Sequence, residues 1–300
     1  MTTRYPPDRK LTARMGLTMF LLGLVYVAFI AVLIALIKSV TVVIVIAAGL
    51  MFAQYWFSDR IALYAMRARE VSPVQEPQLH GIIDRICATA DMDKPRVAIS
   101  DTDLPNAFAT GRNPKRAVVC VTTGLTRRLE GDEMEGVLAH ELSHVAHRDV
   151  AVMTIASFLS VAAGLVARNV LFSGMFRDRR GDQNTTLIVL SVTAVSIVVY
   201  VISFVLIRML SRYRELAADR AGALLTGQPS ALASALTKIS GEMSRIPERD
   251  LRTVEPLNAF FFAPALRPSN ALSTLLSTHP SLERRLEQLS RISEQLGRPV

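Results

Sequence analysis

The sequence contains little cysteine, few aromatic residues and no excess of glycine or proline. Its two cysteines, Cys87 and Cys120, exclude a disulfide scaffold, and both are predicted to be small buried side chains. Aromatic residues make up 6% of the chain, too few for a basic surface with interleaved stacking rings, so no nucleic-acid partner is expected. The 15 glycines and 14 prolines exclude a collagen-like chain, and a hydrophobic content of 50% excludes a disordered one.

The chain is both apolar and basic. Its mean hydropathy is +0.32, while its formal net charge is +8 and its isoelectric point about 9.9. These values are compatible when apolar and basic residues occupy separate blocks, as they do in membrane proteins. The composition therefore predicts contact with a lipid bilayer.

Long apolar runs predict about four transmembrane helices in a multi-pass protein. About 20 apolar residues are needed to span a bilayer core as a helix. The two longest runs are 16–37 and 187–207, and two shorter runs cover 42–57 and 150–167. The run at 150–167 is marginal in length, so a buried core helix is the alternative there.

Basic residues flank the outer ends of these runs. Arg14 precedes the first run, Arg60 follows the second, Arg148 precedes the third and Arg208 follows the fourth. Because Lys and Arg concentrate on the cytoplasmic side, both termini and the soluble parts are predicted to lie in the cytoplasm, beneath the cell membrane. The linker that contains Arg177, Arg179 and Arg180 is the exception.

The pattern predicts an α+β, predominantly helical fold in four segments. Residues 1–59 form a tail and a membrane hairpin, 60–149 the first half of a catalytic domain, 150–207 a second membrane hairpin and 208–300 the second catalytic half. Short β-prone stretches between residues 96 and 123 predict a small antiparallel sheet. A helix with an Asp132–Glu135 capping box follows it, and a single unbroken helix runs from about Leu187 to Leu225.

The segment His140-Glu141-Leu142-Ser143-His144 is the strongest chemical signal. Residues four apart share a helix face, so both imidazoles can bind one ion, and Glu141 can reach a water next to it. This is the zincin pattern, in which two histidines bind zinc and the glutamate is the general base. The alternative is a surface helix with two solvated histidines.

A catalytic zinc needs a third protein ligand, and Glu215 in the long helix can supply it. Asp219, one turn later, can hydrogen-bond a ligand histidine from behind. The alternative for this pair is a solvated acidic stripe. His147 is a rival third ligand, although a supporting or surface role is favoured. His80 is expected on the surface.

His279 precedes a predicted helix with the sequence SLERRLEQL. A donor near the zinc can stabilise the negative oxygen that develops during hydrolysis. The alternative for His279 is a place beside a helix cap.

Several motifs together resemble the HtpX-type membrane-bound zinc metallopeptidases, which are related to the CAAX prenyl proteases. They are PNAFATGRNP at 105–114, VTTGL at 121–125, HELSH with Asp149 after it, ELAADRAGA at 215–223 and STHPSLERRL at 277–286. The resemblance implies a gluzincin-like catalytic domain with one Zn²⁺ per chain, held by His140, His144 and Glu215, with Glu141 as base.

The resemblance also implies a substrate-binding edge strand at Asn106 and Ala107, and it implies that His279 and Arg285 face the cleft. The chain departs from the family pattern at His147, where a neutral polar residue is common, and at Ser281, where a second proline is frequent.

These observations predict a zinc metalloendopeptidase that cleaves misfolded or membrane-associated proteins at the cytoplasmic face of the membrane. A role in stress-linked protein quality control is implied by the resemblance alone. The sequence does not indicate which oligomeric state the protein has.

A catalytically silent zinc-binding membrane chaperone or scaffold is the main alternative to the protease, but such a site has no need of the base Glu141. An intramembrane protease is disfavoured by the polar GDEMEG before the motif, and a transporter by the lack of ionisable residues in runs one, two and four.

Overall fold

The computed structural model describes residues 9–36, 55–157, 183–245 and 277–297, together with isolated positions between 45 and 53 and at 163–164. Within these ranges the chain is mostly helical and contains one small sheet. The helices are α1 (Arg9–Leu36), α2 (Ser58–Ala65), α3 (Pro77–Ala90), α4 (Thr123–Thr126), α5 (Gly131–Ala146), α6 (Gln183–Thr226), α7 (Pro229–Arg245) and α8 (Leu282–Gln295). Residues 149–157 are also helical.

Two of these helices are long and apolar enough to cross a bilayer. The candidate spans are Leu11–Phe29 in α1 and a window within Leu190–Thr226 in α6. Large apolar side chains are exposed along both helices, including Phe20 and Leu190 at 63% and 60%. Such surfaces need lipid rather than water around them. The other two predicted runs, 42–57 and 150–167, fall only partly within the described residues.

The long helix α6 joins the apolar contact with α1 to the part of the molecule that contains α3, α5 and α8. Its 44 residues confirm the predicted unbroken helix. At 1.5 Å per residue α6 is about 66 Å long, roughly twice the thickness of a bilayer core. Its apolar half packs against α1, with Leu22 and Leu210 buried in the contact. Its other half packs among α3, α5 and α8.

The four-stranded sheet has the order β1-β2-β4-β3. Its strands are β1 (Ala68–Glu70), β2 (Arg96–Ser100), β3 (Ala107–Thr110) and β4 (Val118–Thr122). The prediction of an antiparallel sheet is wrong for one pair, because β2 and β4 run parallel, while β1 with β2 and β3 with β4 are antiparallel.

The burial of β4 explains the mixed sheet. All five of its residues are buried, so it needs covering on both faces and a neighbour on each side. One face, with Val119 and Val121, packs into the main core, and the other, with Val118 and Cys120, packs against α2. The hairpin places β3 on one side of β4, which leaves the other side to β2.

The start of α5 differs from the expected capping box. Glu130 is the N-cap residue, and its backbone N–H donates to Glu133 Oε2 at 2.9 Å, so the Asp132–Glu135 assignment is wrong by two residues. Glu133 also accepts hydrogen bonds from Ser234 at 2.6 Å and Lys238 at 2.8 Å on α7. The same side chain therefore caps α5 and joins it to α7.

Three smaller predictions are tested by burial. Cys87 and Cys120 are buried free thiols, as expected. His80 is not on the surface: it is buried, and its Nε2 lies 3.1 Å from the carbonyl oxygen of Val71. The hydrogen bond explains why a histidine is tolerated there.

Candidate metal centre

Helix α5 carries both predicted histidine ligands on one face. His140 and His144 are buried or nearly so, and their Nε2 atoms lie 3.2 Å apart. The helical spacing of four residues brings the two rings together, with ring centroids 4.9 Å apart in an edge-on arrangement. Two ring nitrogens at this separation point to a common centre.

Helix α6 brings Glu215 to the same centre. Its Oε2 lies 3.7 Å from His140 Nε2, and its Oε1 lies 3.5 Å from His144 Nε2. Ligands about 2.05 Å from a tetrahedral zinc are separated by about 3.3 Å, close to these distances. The three residues form a group of candidate ligand atoms that all lie within 4.8 Å of one another.

The two helices approach closely beside this site because α6 has a glycine there. A Cβ atom on Gly222 would lie 2.9 Å from His140 N and 3.2 Å from His140 Cα. The backbones of α5 and α6 therefore pack directly against each other, which brings the Glu215 side chain within reach of the histidines of α5.

Each of these two histidines has a carboxylate within hydrogen-bond distance of its Nδ1 atom, on the side of the ring away from Nε2. His140 Nδ1 lies 2.9 Å from Asp219 Oδ1, and His144 Nδ1 lies 2.5 Å from Asp149 Oδ2. A carboxylate at Nδ1 fixes the proton on that nitrogen and leaves the Nε2 lone pair free to bind a metal. The donor set, its orientation and its spacing thus fit a zinc ion.

Each of the two carboxylates is in turn paired with an arginine. Arg285 is 2% exposed, and its Nε and Nη2 donate to Asp219 at 2.7 and 2.6 Å. Arg214 Nη2 lies 2.9 Å from Asp149 Oδ2. Burial alone would raise the pKa of Asp219 and Asp149, but Arg285 and Arg214, with the histidines, hold both pKa values below their usual range.

Arg285 therefore lies behind the ligand His140 rather than in an open cleft. Its Nη1 is 4.0 Å from Glu215 Oε2, and its Nε and Nη2 donate to Asp219. The resemblance implied that Arg285 faces the cleft, and the structure places it against Asp219, close to Glu215.

Sequence reasoning missed Asp149 and Arg214 as site residues. The available signals were the position of Asp149 five residues after His144, and of Arg214 directly before Glu215. Neither spacing predicts a contact with the histidines. Asp149 in particular lies beyond the end of α5, where helical spacing no longer applies. The left-handed backbone of Arg148, with φ of 57°, turns the chain so that Asp149 returns to His144.

His279 also contacts Glu215. It is buried, and its Nδ1 is 3.1 Å from Glu215 Oε2. Its Nε2 is buried and has no hydrogen-bond partner among the described residues. An unpartnered ring nitrogen next to the ligands is available to a substrate. By contrast, His147 is the C-cap residue of α5 and does not belong to the candidate ligand group.

Glu141 is buried beside the ligands and contacts the sheet. Its Oε2 accepts a hydrogen bond from Ala109 N at 3.0 Å. Burial raises the pKa of Glu141 to about 7, which suits a group that must take up and release a proton near neutral pH.

Strand β3 is an edge strand, as expected, and its free edge faces the metal centre. Asn106 N and O both pair with Thr122 on the β4 side, at 2.9 and 3.0 Å. In an antiparallel pair the bonding direction alternates, so Ala107 and Ala109 direct their backbone groups towards the free edge. Asn106 and Ala107 are both 0% exposed, so a substrate could pair there only after that edge is uncovered.

The fold and the site describe a membrane metalloprotease, and comparison with known proteins agrees. The family model described as "Peptidase family M48" matches residues 73–293. The chain therefore belongs to peptidase family M48.

Relatives with this family's activity match over nearly the whole chain. It is 62% identical to Protease HtpX homolog 1 of Streptomyces coelicolor over 99% of this chain and 97% of the relative. It is 53% identical to Protease HtpX homolog of Moorella thermoacetica over 96% of each. The chain is thus similar to membrane proteases of the HtpX type.

A solved structure supports the fold. The crystal structure of S. mikatae Ste24p aligns with a TM-score of 0.53 and 16% identity, covering 94% of this chain and 67% of that one. At this identity the likeness concerns the fold alone, and it agrees with the relation to the CAAX prenyl proteases expected from the sequence.

Proposed function

We propose that the protein is a zinc-dependent endopeptidase that hydrolyses peptide bonds of misfolded or membrane-associated proteins at the cytoplasmic face of the cell membrane. The observation that carries this proposal is the convergence of His140 Nε2, His144 Nε2 and Glu215 next to the buried carboxylate of Glu141. A metal site with a structural role alone has no use for a buried carboxylate such as Glu141 beside its three ligands.

Zinc held by His140, His144 and Glu215 would polarise the scissile carbonyl and activate the attacking water. Glu141 takes the proton of that water and passes it to the leaving amine. The N–H of Ala109 holds one oxygen of Glu141 at 3.0 Å, so the carboxylate keeps a fixed direction while the other oxygen remains free for proton transfer.

His279 stabilises the negative oxygen that develops on the carbonyl. This role needs a proton on Nε2, while Nδ1 lies within hydrogen-bond distance of Glu215. Arg285 takes no direct part in this scheme and acts through Asp219 on His140.

The substrate is proposed to bind as an added strand along β3. Once this edge is uncovered, the outward-facing backbone groups of Ala107 and the carbonyl of Ala109 can pair with an extended peptide, while the Ala109 N–H stays with Glu141. Such pairing reads the backbone rather than side chains, so broad sequence specificity follows. Asn106 positions this edge through its two bonds to Thr122.

The site is proposed to work close to the membrane, with residues 60–149 and 208–300 as the two catalytic halves and both termini in the cytoplasm. Glu215 follows the end of the apolar run at Ile207 by eight residues, which is about 12 Å along a helix. Loops and unfolded tails of membrane proteins come within this distance of the bilayer.

The test is casein cleavage by detergent-solubilised wild type and Glu141→Gln, with bound zinc measured in both. We expect about one zinc per chain in both proteins and cleavage only by the wild type. Glu135→Gln is the matched control, because Glu135 is on the same helix but pairs with Arg85 at the surface. Zinc in both proteins with cleavage in neither would favour the silent chaperone or scaffold, and the absence of zinc in both would refute the proposal.

A further inference from the structure

Helix α2 has two opposite faces, one turned to the sheet and one turned outwards. Its inward face carries Ala62 and, just after the helix, Met66, which both pack against buried side chains of β2, β3 and β4. Phe57, Ile61 and Tyr64 follow one another at spacings of four and three residues, so they share the other face. These three side chains are 43%, 49% and 88% exposed. The face of α2 that points away from the sheet is therefore apolar and uncovered.

This outward face continues an aromatic surface at the end of the predicted membrane run 42–57. Phe52 and Trp56 are both exposed, and their rings stack with centroids 5.4 Å apart. We name the whole surface the aromatic face, and it consists of Phe52, Trp56, Phe57, Ile61 and Tyr64. A contiguous group of large apolar side chains on a protein surface marks a site of contact with a partner or a membrane.

The chemistry of the aromatic face fits the boundary between lipid and water. Trp and Tyr are enriched at this boundary, because their rings are apolar while their N–H and O–H groups can still form hydrogen bonds. Arg60 is exposed on the same side of α2, and Arg67 is exposed just after the helix. An apolar helix face with basic residues beside it is typical of helices that lie on an anionic membrane surface.

The backbone leaves the helical conformation between the predicted run and α2. At Phe57, φ is −106° and ψ is 14°, whereas helical values are about −63° and −42°. A helix that continued straight out of the membrane would place Tyr64 about 10 Å beyond Phe57, past a headgroup layer of about 5–8 Å. A helix that lies along the surface keeps both side chains at the same depth. We propose that α2 lies along the surface of the lipid bilayer, with the aromatic face in the headgroup layer.

Two contacts join the aromatic face to the end of β3. The guanidinium carbon of Arg112 lies 3.6 Å from the ring centroid of Trp56, which is a cation–π contact. The hydroxyl of Tyr55 donates to the carbonyl oxygen of Arg112 at 2.7 Å. Because Arg112 follows the last residue of β3 by two positions, the turn after this strand is fixed to the aromatic face.

The docking of α2 determines how far the sheet lies from the membrane. β3 packs against α2 through Phe108, so one helix separates this strand from the bilayer. The diameter of a helix with its side chains is about 10 Å. A substrate strand added to β3 would then run close to the lipid surface, which makes segments of proteins at the membrane surface the favoured substrates. This consequence rests on the proposed protease function, whereas the contact between α2 and lipid does not.

Trp56 is the one tryptophan of the chain, so its fluorescence reports directly on the aromatic face. The test uses the full-length protein in vesicles of phosphatidylcholine and phosphatidylglycerol that carry a nitroxide label either at the headgroup or at the end of an acyl chain. We expect the headgroup label to quench Trp56 more strongly than the chain-end label. Stronger quenching by the chain-end label would place Trp56 within the hydrocarbon core and overturn the proposal.

A tryptophan moved to another position tests whether α2 lies flat on the membrane. The variants Trp56→Phe/Tyr64→Trp and Trp56→Phe/Val74→Trp each carry one indole. Val74 is the matched control, because it is 91% exposed but follows Val71, which packs into the core on the other face of the sheet. We expect the indole at position 64 to be quenched by the headgroup label, and its quenching by acrylamide in the water to be several-fold weaker than at position 74.

Two results with these variants would contradict the proposal. Equal quenching by acrylamide at positions 64 and 74 would show that the outward face of α2 lies in water. Protection of position 64 from acrylamide without quenching by either lipid label would show that another protein or a second copy of the chain covers the face.

The consequence for substrates is measured separately with Ile61→Asp/Tyr64→Asp, in which two carboxylates oppose contact with lipid. Cleavage of a membrane-anchored substrate in vesicles should fall several-fold, while cleavage of casein in detergent should stay at the level of the wild type and of the control Val74→Asp. An unchanged cleavage of the anchored substrate would refute this consequence. If the wild type cleaves neither substrate, the proposed protease function fails, but the fluorescence still decides whether α2 docks on lipid.

Discussion

Arg285 and Asp219 form a two-bond ion pair that is buried behind His140, a candidate metal ligand. Arg285 Nε and Nη2 donate to the two oxygens of Asp219, and Asp219 Oδ1 lies 2.9 Å from His140 Nδ1. The second ligand, His144, has the same arrangement with Asp149 and Arg214. Both histidines are therefore oriented by a carboxylate that an arginine keeps ionised.

Replacing Arg285 leaves the carboxylate of Asp219 buried without its cation. We expect Arg285→Met to destabilise the protein by about 3–5 kcal/mol, the cost typical of breaking a buried ion pair from one side. Thermal unfolding in detergent measures this. The double variant Arg285→Met/Asp219→Leu should recover part of the loss, since it removes the uncompensated charge. A double variant no more stable than Arg285→Met would contradict the pairing as the source of stability.

Asp149 and Arg214 are expected to tune metal affinity. Asp149→Asn weakens the hold on His144 Nδ1, and a loss of about 10–100-fold in zinc affinity is typical for such partners. Arg214→Gln should show a smaller loss in the same direction, and Arg214→Lys should recover part of it. Competition with a chromophoric chelator measures the affinity.

Arg208→Gln is the control for this series, because Arg208 lies on the same helix but packs against Phe204, with its guanidinium carbon 4.6 Å from the ring centroid. Equal zinc affinity for the wild type and Asp149→Asn would show that Asp149 does not support the ligand.

Gly222 sets the distance between α5 and α6. In Gly222→Ala the new Cβ meets the backbone of His140 at 2.9 Å, so the helices must separate. We expect a loss of stability of about 1–3 kcal/mol, as for other overpacked sites, and weaker zinc binding because Glu215 moves away from the histidines.

Gly241→Ala is the matched control, since a Cβ there meets nothing within 4 Å. Because Gly241 lies within helix α7, Gly241→Ala should raise the free energy of unfolding by about 0.5–1 kcal/mol. Thermal unfolding and zinc titration of both variants test the contrast, and similar behaviour of the two would argue against close helix packing at Gly222.

Glu133 gives the stability a defined dependence on pH. Burial opposes its ionisation, but hydrogen bonds from Lys238 and Ser234 outweigh burial and lower its pKa in the folded state. A lowered folded-state pKa stabilises the protein above the unfolded value of about 4.5, and this contribution disappears as the pH falls through the folded value. Glu133→Gln should therefore have a lower Tm than the wild type at pH 7, and the difference should shrink at pH 4 and below.

The Lys238→Met variant tests the partner from the other side. It should also lower the Tm at pH 7, with little further effect when Glu133→Gln is already present. A Tm difference between Glu133→Gln and the wild type that stays constant from pH 7 to pH 4 would exclude the ionised carboxylate as the stabilising form.

The local sequence predicted the features that depend on short spacings. His140 and His144 share a face because a helix repeats every 3.6 residues, and the apolar run before Glu215 has no breaker, so α6 is continuous. The same logic failed at the start of α5, where Glu130 and Asp132 are both plausible caps. Which of them begins the helix depends on Glu133, which is held by Lys238 about a hundred residues further along the chain.

Features that depend on contacts between distant segments were decided by the tertiary structure. β4 takes a parallel neighbour because both of its faces are buried, a property of the packed sheet rather than of its five residues. Arg285 pairs with Asp219, and Arg214 with Asp149, because a buried carboxylate needs a nearby cation, and only the folded chain determines which arginine is near. The sequence by itself predicted the candidate ligands and the base, and the packing of α5, α6 and α8 decided which side chains orient them.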